Sequence, residues 1–279
     1  MEKRDGKSLY PVQIGGKTKF TKVSSNGQSA FAIDEEGFLY GWGRNHVGQL
    51  GNGSKTDELV PTKVICDKKF KEILIGNGGV FAIAIDIEGN LWTCGSNGSG
   101  MLGNGCKNQY DYAGRLEVSY DTCYFIQITK DIVFKKISAN EYSCYALDEN
   151  GDVWVWGYNA NGTLFGDNGN ISGYQLVPKK VIEGKKFIDI ASGQRTVFAI
   201  DEDGTLWGWG NNYNGSLGNG TMNDSKVPIR INDGIKYKNV ETNGYHTLAI
   251  DVKGNIWSWG TNEEGELGDG TTNNALAPI

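Results

Sequence analysis

The sequence predicts an all-β fold, a β-propeller of four-stranded antiparallel blades, on two observations. First, one pattern recurs five times along the 279 residues, and its Asp-x-x-Gly segments begin at Asp34, Asp86, Asp148, Asp201 and Asp251. Self-similarity at a period of about 50 residues is typical of propellers and solenoids. Second, each repeat offers three short runs rich in β-branched and aromatic residues, usually with a proline-containing run, and no helical periodicity lies between them.

The fourth repeat illustrates how one unit is organised. An inner strand is expected from Phe187, a second strand over 197–200 and a third over 206–209. The segment 201–204 predicts a hairpin turn in which glycine supplies the positive φ and aspartate bonds the turn backbone. All eight tryptophans fall in third strands, and their i, i+2 pairs place both rings on one sheet face, where neighbouring blades pack. The run 226–231 adds an outer edge strand, where proline is tolerated.

The repeats predict a single propeller domain over residues 1–279. Its repeat cores are expected at 20–64, 70–128, 134–181, 187–231 and 237–279. Residues 1–19 contain a partial outer strand, because the run 9–14 is similar to the proline run of the repeats. The second repeat departs from the pattern: it carries an insertion after Gly105, and 124–128 takes the place of its proline run. Insertions in repeat proteins map to loops on one face, often the binding face.

Composition limits the classes of function. The formal net charge of -6 argues against strong direct binding of nucleic acid. No apolar run is long enough for a transmembrane helix, and the first residues lack the apolar segment of a secretory signal. The five cysteines are odd in number and irregularly spaced, which favours a reducing compartment. We therefore expect a cytoplasmic protein, or one delivered into a host cytosol without a cleavable signal. A secreted protein whose signal has been removed is the alternative.

No conventional active site is predicted. The two histidines, His46 and His246, lie in different repeats, and no His/Cys pair has the spacing of metal ligands. The Asp-x-x-Gly carboxylates recur in every repeat, so a role in the fold explains them better than acid–base catalysis or calcium binding. We expect no catalytic residue, no metal and no cofactor.

Recognition of a partner is the remaining class of function, and we expect it where the repeats differ. The loops between first and second strands, the loops after third strands and the insertion carry residue types that are enriched in interface hot spots, notably tyrosine and arginine. Simple solvated loops are the alternative reading. The candidate partner-binding residues are Gln28, Tyr110, Asp111, Tyr112, Arg115, Glu141, Tyr142, Gln194, Arg195, Tyr213, Tyr245 and His246.

The recurring pattern G-x-[H/S/T]-x-x-A-[I/L]-D-x-x-G-x-[L/V]-W-x-W-G-x-N-x-x-G-x-L-G resembles the regulator of chromosome condensation repeat. The likeness covers almost the entire chain, as five near-complete units and a leading fragment. It implies a β-propeller, which has seven blades in well-known members. Five units imply a small ring or part of a larger six- or seven-bladed one. An incomplete ring would leave unpaired strand edges that favour self-association.

The resemblance also implies a function: guanine-nucleotide exchange on the small GTPase Ran, with the insertion at 106–128 as a protruding β-wedge. The regular repeats look bacterial, so a bacterial effector that activates a host's Ran-type GTPase is the leading hypothesis. One departure weakens it, because family exchange factors carry aspartates in the G-x-D-H turns. The matching residues here are Gln28, Val80, Tyr142, Arg195 and Tyr245. The alternative is a non-catalytic binding scaffold, or an inhibitor similar to the bacterial propeller that inhibits β-lactamases.

Overall fold

The computed structural model describes residues 10–159, 162–164, 173–231 and 234–279. Their strands form four four-stranded antiparallel sheets, one three-stranded sheet and a small hairpin, in agreement with the predicted all-β propeller. The only helix among these residues is a single 3-10 turn at Tyr213–Gly215. None of them forms a helix with the length and apolar character needed to cross a membrane.

Each repeat forms one sheet, which we call a blade. Blade 1 comprises β1 (Phe20–Ser25), β2 (Ser29–Asp34), β3 (Leu39–Gly43) and β4 (Glu58–Lys63). Blade 2 comprises β5 (Phe70–Ile75), β6 (Phe81–Asp86), β7 (Leu91–Gly95) and β10 (Thr122–Gln127), and its inserted hairpin is β8 (Gln109–Tyr110) and β9 (Leu116–Val118). Blade 3 comprises β11 (Phe134–Ala139), β12 (Ser143–Asp148), β13 (Val153–Tyr158) and β14 (Tyr174–Val181). Blade 4 comprises β15 (Phe187–Ser192), β16 (Thr196–Asp201), β17 (Leu206–Gly210) and β18 (Ser225–Arg230). Blade 5 comprises β19 (Tyr237–Thr242), β20 (His246–Asp251) and β21 (Ile256–Gly260).

The Asp-x-x-Gly segments are hairpin turns, as predicted, and four of the five also hold a tryptophan of the same blade. Asp201 Oδ1 accepts hydrogen bonds from the backbone N–H groups of Asp203 and Thr205, at 3.1 and 2.8 Å. Gly204 takes a φ of +77°, which only glycine adopts at little cost. The indole N–H of Trp207 donates to the second carboxylate oxygen of Asp201 at 2.8 Å. The aspartate therefore fixes both the turn and the first tryptophan of its own third strand.

The second tryptophan of each pair joins adjacent blades. Trp156, Trp209 and Trp259 are completely buried. Their indole N–H groups donate to carbonyl oxygens in the preceding blade, those of Met101, Thr163 and Ser216. The apolar core thus lies between blades, and each blade packs on the next along the chain.

The two outermost blades expose surfaces that are buried between the inner ones. Val23 in β1 is 78% exposed, whereas its repeat equivalent Ile73 in β5 is 4% exposed. On the opposite side, Ile256 in β21 is 72% exposed, whereas its equivalent Leu206 in β17 is fully buried. Blades 1 and 5 therefore each present one apolar face without a neighbouring blade among the described residues.

Three of the outer segments predicted from the sequence differ in how far they form strands: the run 124–128, the leading run and the last proline run. The run 124–128 does take the outer position in blade 2, where β10 pairs with β7. The leading run differs: residues 10–14 lie outside any strand, and residue 9 falls outside the described residues. In blade 5 the last proline run is reduced to bonds between Ala275 and Gly260 and between Ile279 and Ser258.

The turn aspartate of blade 5, Asp251, makes the stability of the fold depend on pH. Burial of Asp251 opposes its ionisation, but bonds from the side chain and backbone of Asn255 and from the Trp257 indole lower its pKa to about 2. An aspartate in an unfolded chain has a pKa of about 3.9. Ionised Asp251 therefore stabilises the fold above a pH of about 4, and this contribution is lost as the pH falls towards about 2.

We expect the unfolding free energies of the wild type and Asp251→Asn to differ most above pH 4 and to converge towards pH 2, on the basis of this linkage. Urea titrations across this range, followed by circular dichroism, would measure the difference. A gap that stays constant with pH would contradict the assignment.

Candidate protein-binding face

Both sets of variable loops lie at the same end of the propeller. In each blade the start of the second strand pairs with the end of the third, as in Ser143 opposite Gly157. The connections before the second strand and after the third strand must therefore meet at one end, which we call the loop face. The insertion lies there too, because β10 starts at Thr122 opposite Gly95 at the end of β7. The Asp-x-x-Gly turns form the other end, the turn face. All twelve predicted partner-binding residues belong to the loop face.

Buried asparagines hold the long loops of this face in shape. Asn212 is fully buried, and its amide N–H groups donate to Thr221 and Asn223 carbonyls, at 3.0 Å each. Its side-chain oxygen accepts a hydrogen bond from the Leu217 backbone at 2.8 Å. Equivalent bonds are made by Asn45, Asn97 and Asn262. The loop face is therefore a set of braced loops that can present side chains at little cost in conformational entropy.

An aromatic stack crosses the loop face above blade 3. The rings of Tyr158 and Tyr174 stack with centroids 4.6 Å apart, and Tyr142 meets Tyr158 edge to face at 6.4 Å. We call these three residues the tyrosine stack. Tyr142 and Tyr174 are 36% and 43% exposed, so the stack is accessible. The Lys107 ammonium lies 4.6 Å from the Tyr174 ring centroid, at the start of the insertion.

Glu141 sits beside the stack as a neighbouring negative charge. Its carboxylate accepts a hydrogen bond from the Tyr142 hydroxyl at 2.7 Å. That hydrogen bond, together with partial burial, raises the pKa of Tyr142 above its ordinary value. Tyr142 therefore stays neutral at physiological pH and presents an aromatic ring next to a carboxylate.

The insertion has an anchored base and an exposed tip. Asn108 is buried at the base, and its amide N–H donates to Asp121 at 2.8 Å. At the tip, Asp111 Oδ1 accepts from the backbone N–H groups of Ala113 and Arg115, the same bonds that the repeat turns make. Asp111 is thus engaged in building a turn. Tyr112 beside it is fully exposed, and the isolated two-stranded hairpin gains little stability from its own pairing.

The other candidates form separate small clusters around the loop face. Arg44 donates to Gln28 Oε1 and to His46 Nδ1, both at 2.7 Å. The Tyr245 hydroxyl donates to Gln194 at 3.0 Å and so links blades 4 and 5. His246 Nδ1 lies 3.2 Å from the Asn243 amide, as expected for a turn residue. Arg195 and Tyr213 are exposed. No group of three acidic, histidine or cysteine side chains in the described ranges is arranged to hold a metal ion.

The candidate residues selected from the sequence do not include Tyr158, Tyr174 or Lys107. A usable signal exists for Tyr158: it follows the glycine that ends the third strand, where the other repeats have arginine, serine, asparagine or threonine. Tyr174 joins the stack only through the pairing of β14 with β13, which places it opposite Tyr158. Lys107 reaches the same ring from another blade, which no local pattern shows.

The sequence model of the Regulator of chromosome condensation (RCC1) repeat matches residues 36–83, 150–200, 203–250 and 253–279. A second RCC1 repeat model matches 134–163 and 187–216. The residues matched by the first model alone make up more than half of the chain, and they lie in the propeller blades described above.

Several known proteins are similar to this chain. The ultraviolet-B receptor UVR8 of Arabidopsis thaliana is 29% identical over 219 residues, which is 78% of this chain and 47% of the receptor. The human E3 ubiquitin-protein ligase HERC2 is 31% identical over 188 residues, 65% of this chain and 4% of the ligase. The mitochondrial RCC1 domain-containing protein RUG3 of Arabidopsis thaliana is 29% identical over 206 residues, 74% of this chain and 45% of that protein. The chain thus spans half or less of these relatives.

Solved structures share the fold at low sequence identity. Human WBSCR16 superposes with a TM-score of 0.80 at 19% identity, covering 96% of this chain and 69% of that one. Yeast RCC1 (Prp20), solved bound to Kap60, has a TM-score of 0.56 at 17% identity and covers 93% of this chain and 74% of its own. A further structure of Prp20p from Saccharomyces cerevisiae, described with its binding properties to Gsp1p and histones, has a TM-score of 0.55 at 16% identity, over 92% of this chain and 75% of that one.

Proposed function

We infer that this chain, which belongs to the regulator of chromosome condensation (RCC1) repeat family, binds another protein through its loop face. The observation that carries the proposal is the exposed tyrosine stack on a braced surface. Tyrosine provides large contact area at low entropic cost and is enriched in interface hot spots. Exposed tyrosines elsewhere on the same face add aromatic side chains to it: Tyr213 on blade 4, Tyr245 on blade 5, and Tyr110 and Tyr112 on the insertion.

The finer proposal is that the partner is a Ran-type small GTPase and that the chain regulates nucleotide exchange on it. Two observations support it. The insertion projects an exposed hairpin from the loop face, as a wedge would require. Prp20p, which shares the fold, has described binding properties to Gsp1p and histones. The weak point is chemical: Gln28, Val80, Tyr142, Arg195 and Tyr245 replace the acidic turn residues, so any exchange would depend on aromatic contacts.

A nucleotide-exchange assay tests the finer proposal. We expect this chain, at micromolar concentration, to accelerate release of fluorescent GDP from Ran and Tyr142→Ala to lose most of that acceleration. Ile87→Ala serves as the matched control, because Ile87 is an exposed apolar residue on the turn face. No acceleration by the wild type would remove the exchange activity, and equal loss in both variants would remove the role of the loop face.

A binding experiment tests the broader proposal and its alternative, a non-catalytic scaffold or enzyme inhibitor. Chemical cross-linking with the wild type, Tyr142→Ala and Ile87→Ala should yield partners that only Tyr142→Ala fails to retain. Partners retained equally by all three proteins would show that the loop face is not the binding surface.

The location in a bacterial or host cytosol is part of the same proposal, supported by the five free cysteines.

Self-association is a separate proposal that follows from the open faces of blades 1 and 5. Both faces expose apolar residues, Val23 on one and Leu248 with Ile256 on the other, whose repeat equivalents are buried in blade contacts. We expect the mass measured by light scattering to rise with concentration and Ile256→Lys to suppress the rise. A monomeric mass at all concentrations would contradict this proposal.

A further inference from the structure

We propose that the partner of the loop face is basic, and that one of its arginine or lysine side chains replaces Lys107 on the tyrosine stack. This proposal rests on the proposed function, because it requires that the loop face binds protein. It adds the chemistry of the contact: a cation on an aromatic platform within an acidic surface.

The two ends of the propeller differ in charge. Among the described residues, the loop face and the strand ends beside it carry six basic side chains: Arg44, Lys55, Lys107, Arg115, Arg195 and Lys226. They carry eleven acidic ones: Asp57, Glu58, Asp111, Glu117, Asp121, Glu141, Asp224, Glu263, Glu264, Glu266 and Asp269. At the turn face, by contrast, basic and acidic residues are almost equal in number within the part of the chain that the structure describes, and five of the aspartates are buried in the turns. The negative charge is therefore concentrated on the face that also carries the tyrosines, which favours a basic partner.

Two carboxylates of the long loop of blade 5, those of Glu266 and Asp269, are stabilised in their ionised form by the loop backbone. Backbone N–H groups of Glu266 and Glu264 lower the pKa of the Glu266 carboxyl. The backbone N–H of Thr271 does the same for Asp269. These two carboxylates therefore keep their negative charge at physiological pH and also under mildly acidic conditions.

Lys107 shows that the stack accommodates a cation. Tyr158 covers one part of the Tyr174 ring system by stacking, and the Lys107 ammonium lies over the ring at 4.6 Å. A cation within about 6 Å of an aromatic centroid is attracted by the ring quadrupole. No carboxylate among the described residues forms an ion pair with Lys107, and its ammonium instead faces the Tyr174 ring. A partner's guanidinium would gain more from the same ring, since it is planar and can stack.

The Glu141 carboxylate adds a negative charge at the other end of the stack from Lys107. It is hydrogen-bonded to the Tyr142 hydroxyl, whereas Lys107 lies over Tyr174. A basic segment that lies along the stack therefore meets an aromatic face at Tyr174 and a positioned carboxylate at Tyr142. This combination distinguishes the stack from the exposed tyrosines elsewhere on the described part of the loop face, whose rings have no lysine or arginine over them.

Fluorescence anisotropy with a labelled arginine–serine repeat peptide tests the proposal. We expect the wild type to bind it and a glutamate–serine counterpart to remain free. Lys107→Gln should tighten binding by roughly threefold to tenfold, because it removes both a like charge and the internal competitor for the ring. Lys55→Gln is the matched control: it removes the same charge from an exposed position of the same face without touching the stack. It should tighten binding by less than about twofold.

Tyr174→Leu completes the test, because leucine keeps an apolar side chain and removes the ring. We expect binding to weaken by roughly threefold to tenfold. The thermal melting curve of this variant should superimpose on that of the wild type. Equal effects of Lys107→Gln and Lys55→Gln, or binding of the acidic peptide, would overturn the proposal. If cross-linking finds a partner that requires Tyr142 and the arginine–serine peptide does not bind, this inference fails while the proposed function stands.

Discussion

Replacing Trp209 by alanine is expected to lower the free energy of unfolding by about 3–5 kcal/mol. The indole is completely buried between blades 3 and 4, and its N–H donates to the Thr163 carbonyl at 2.8 Å. The substitution removes a large apolar surface, leaves a cavity and strips a buried carbonyl of its donor. Urea denaturation followed by far-ultraviolet circular dichroism would measure the loss without depending on tryptophan fluorescence.

Trp42 provides the internal control for this prediction. It occupies the same repeat position in blade 1, but it lies on the open face and is only partly buried. Trp42→Ala should therefore cost less than half as much as Trp209→Ala. Equal losses for the two variants would mean that the open face of blade 1 is covered in solution, in contrast to the structure.

Replacing Gly157 by alanine is expected to cost roughly 2–5 kcal/mol and to disturb the loop face as well. Gly157 takes a φ of +106°, and an added Cβ would lie 2.3 Å from the Tyr142 carbonyl oxygen. That same oxygen accepts the backbone N–H of Tyr158 at 2.8 Å. The methyl group must therefore push apart the two backbone segments that carry the tyrosine stack.

Gly254→Ala separates backbone strain from collision. Gly254 has a φ of +93°, but no atom lies within 4 Å of an added Cβ. We expect it to cost about 1–2 kcal/mol from the left-handed conformation alone, without an effect on binding of the arginine–serine peptide. Thermal denaturation and the peptide titration would be measured for both variants. A Gly157→Ala protein as stable as Gly254→Ala would contradict the close contact at Tyr142.

Much of the fold could be predicted because the five repeats can be compared with one another, which separates the residues that build every blade from those that differ. Four of the five Asp-x-x-Gly turns hold a tryptophan of the same blade, and the turn bonds of Asp201 are those expected from its residue type. The i, i+2 spacing of the tryptophans predicts that both rings lie on one face of the sheet, but it does not predict how deeply each ring is buried. The structure divides the pair: Trp207 remains partly exposed on its aspartate, whereas Trp209 is buried between blades.

The site was harder to predict, because its contacts cross between strands and blades. Tyr142 was selected as a departure from the repeat pattern, and the structure places it in an aromatic cluster. Its partners could not be named, since Tyr174 depends on the register of β14 and Lys107 depends on how an insertion returns to blade 2. Asp111 was selected as part of the insertion, yet its carboxylate is engaged in a local turn that the sequence Asp-Tyr-Ala-Gly also encodes.

The open faces of blades 1 and 5 also have a consequence for local unfolding. In a linear array each unit draws much of its stability from contacts with its neighbours, so a unit with one neighbour is held less firmly than a unit with two. Indole hydrogen bonds join blade 3 to both of its neighbours, through Trp156 on one side and Trp209 on the other. Blade 1, in contrast, has no indole bond to a preceding blade among the described residues. Amide hydrogens in the strands of blade 3 should therefore exchange with solvent more slowly than those in blades 1 and 5, and protection should fall towards both ends of the array.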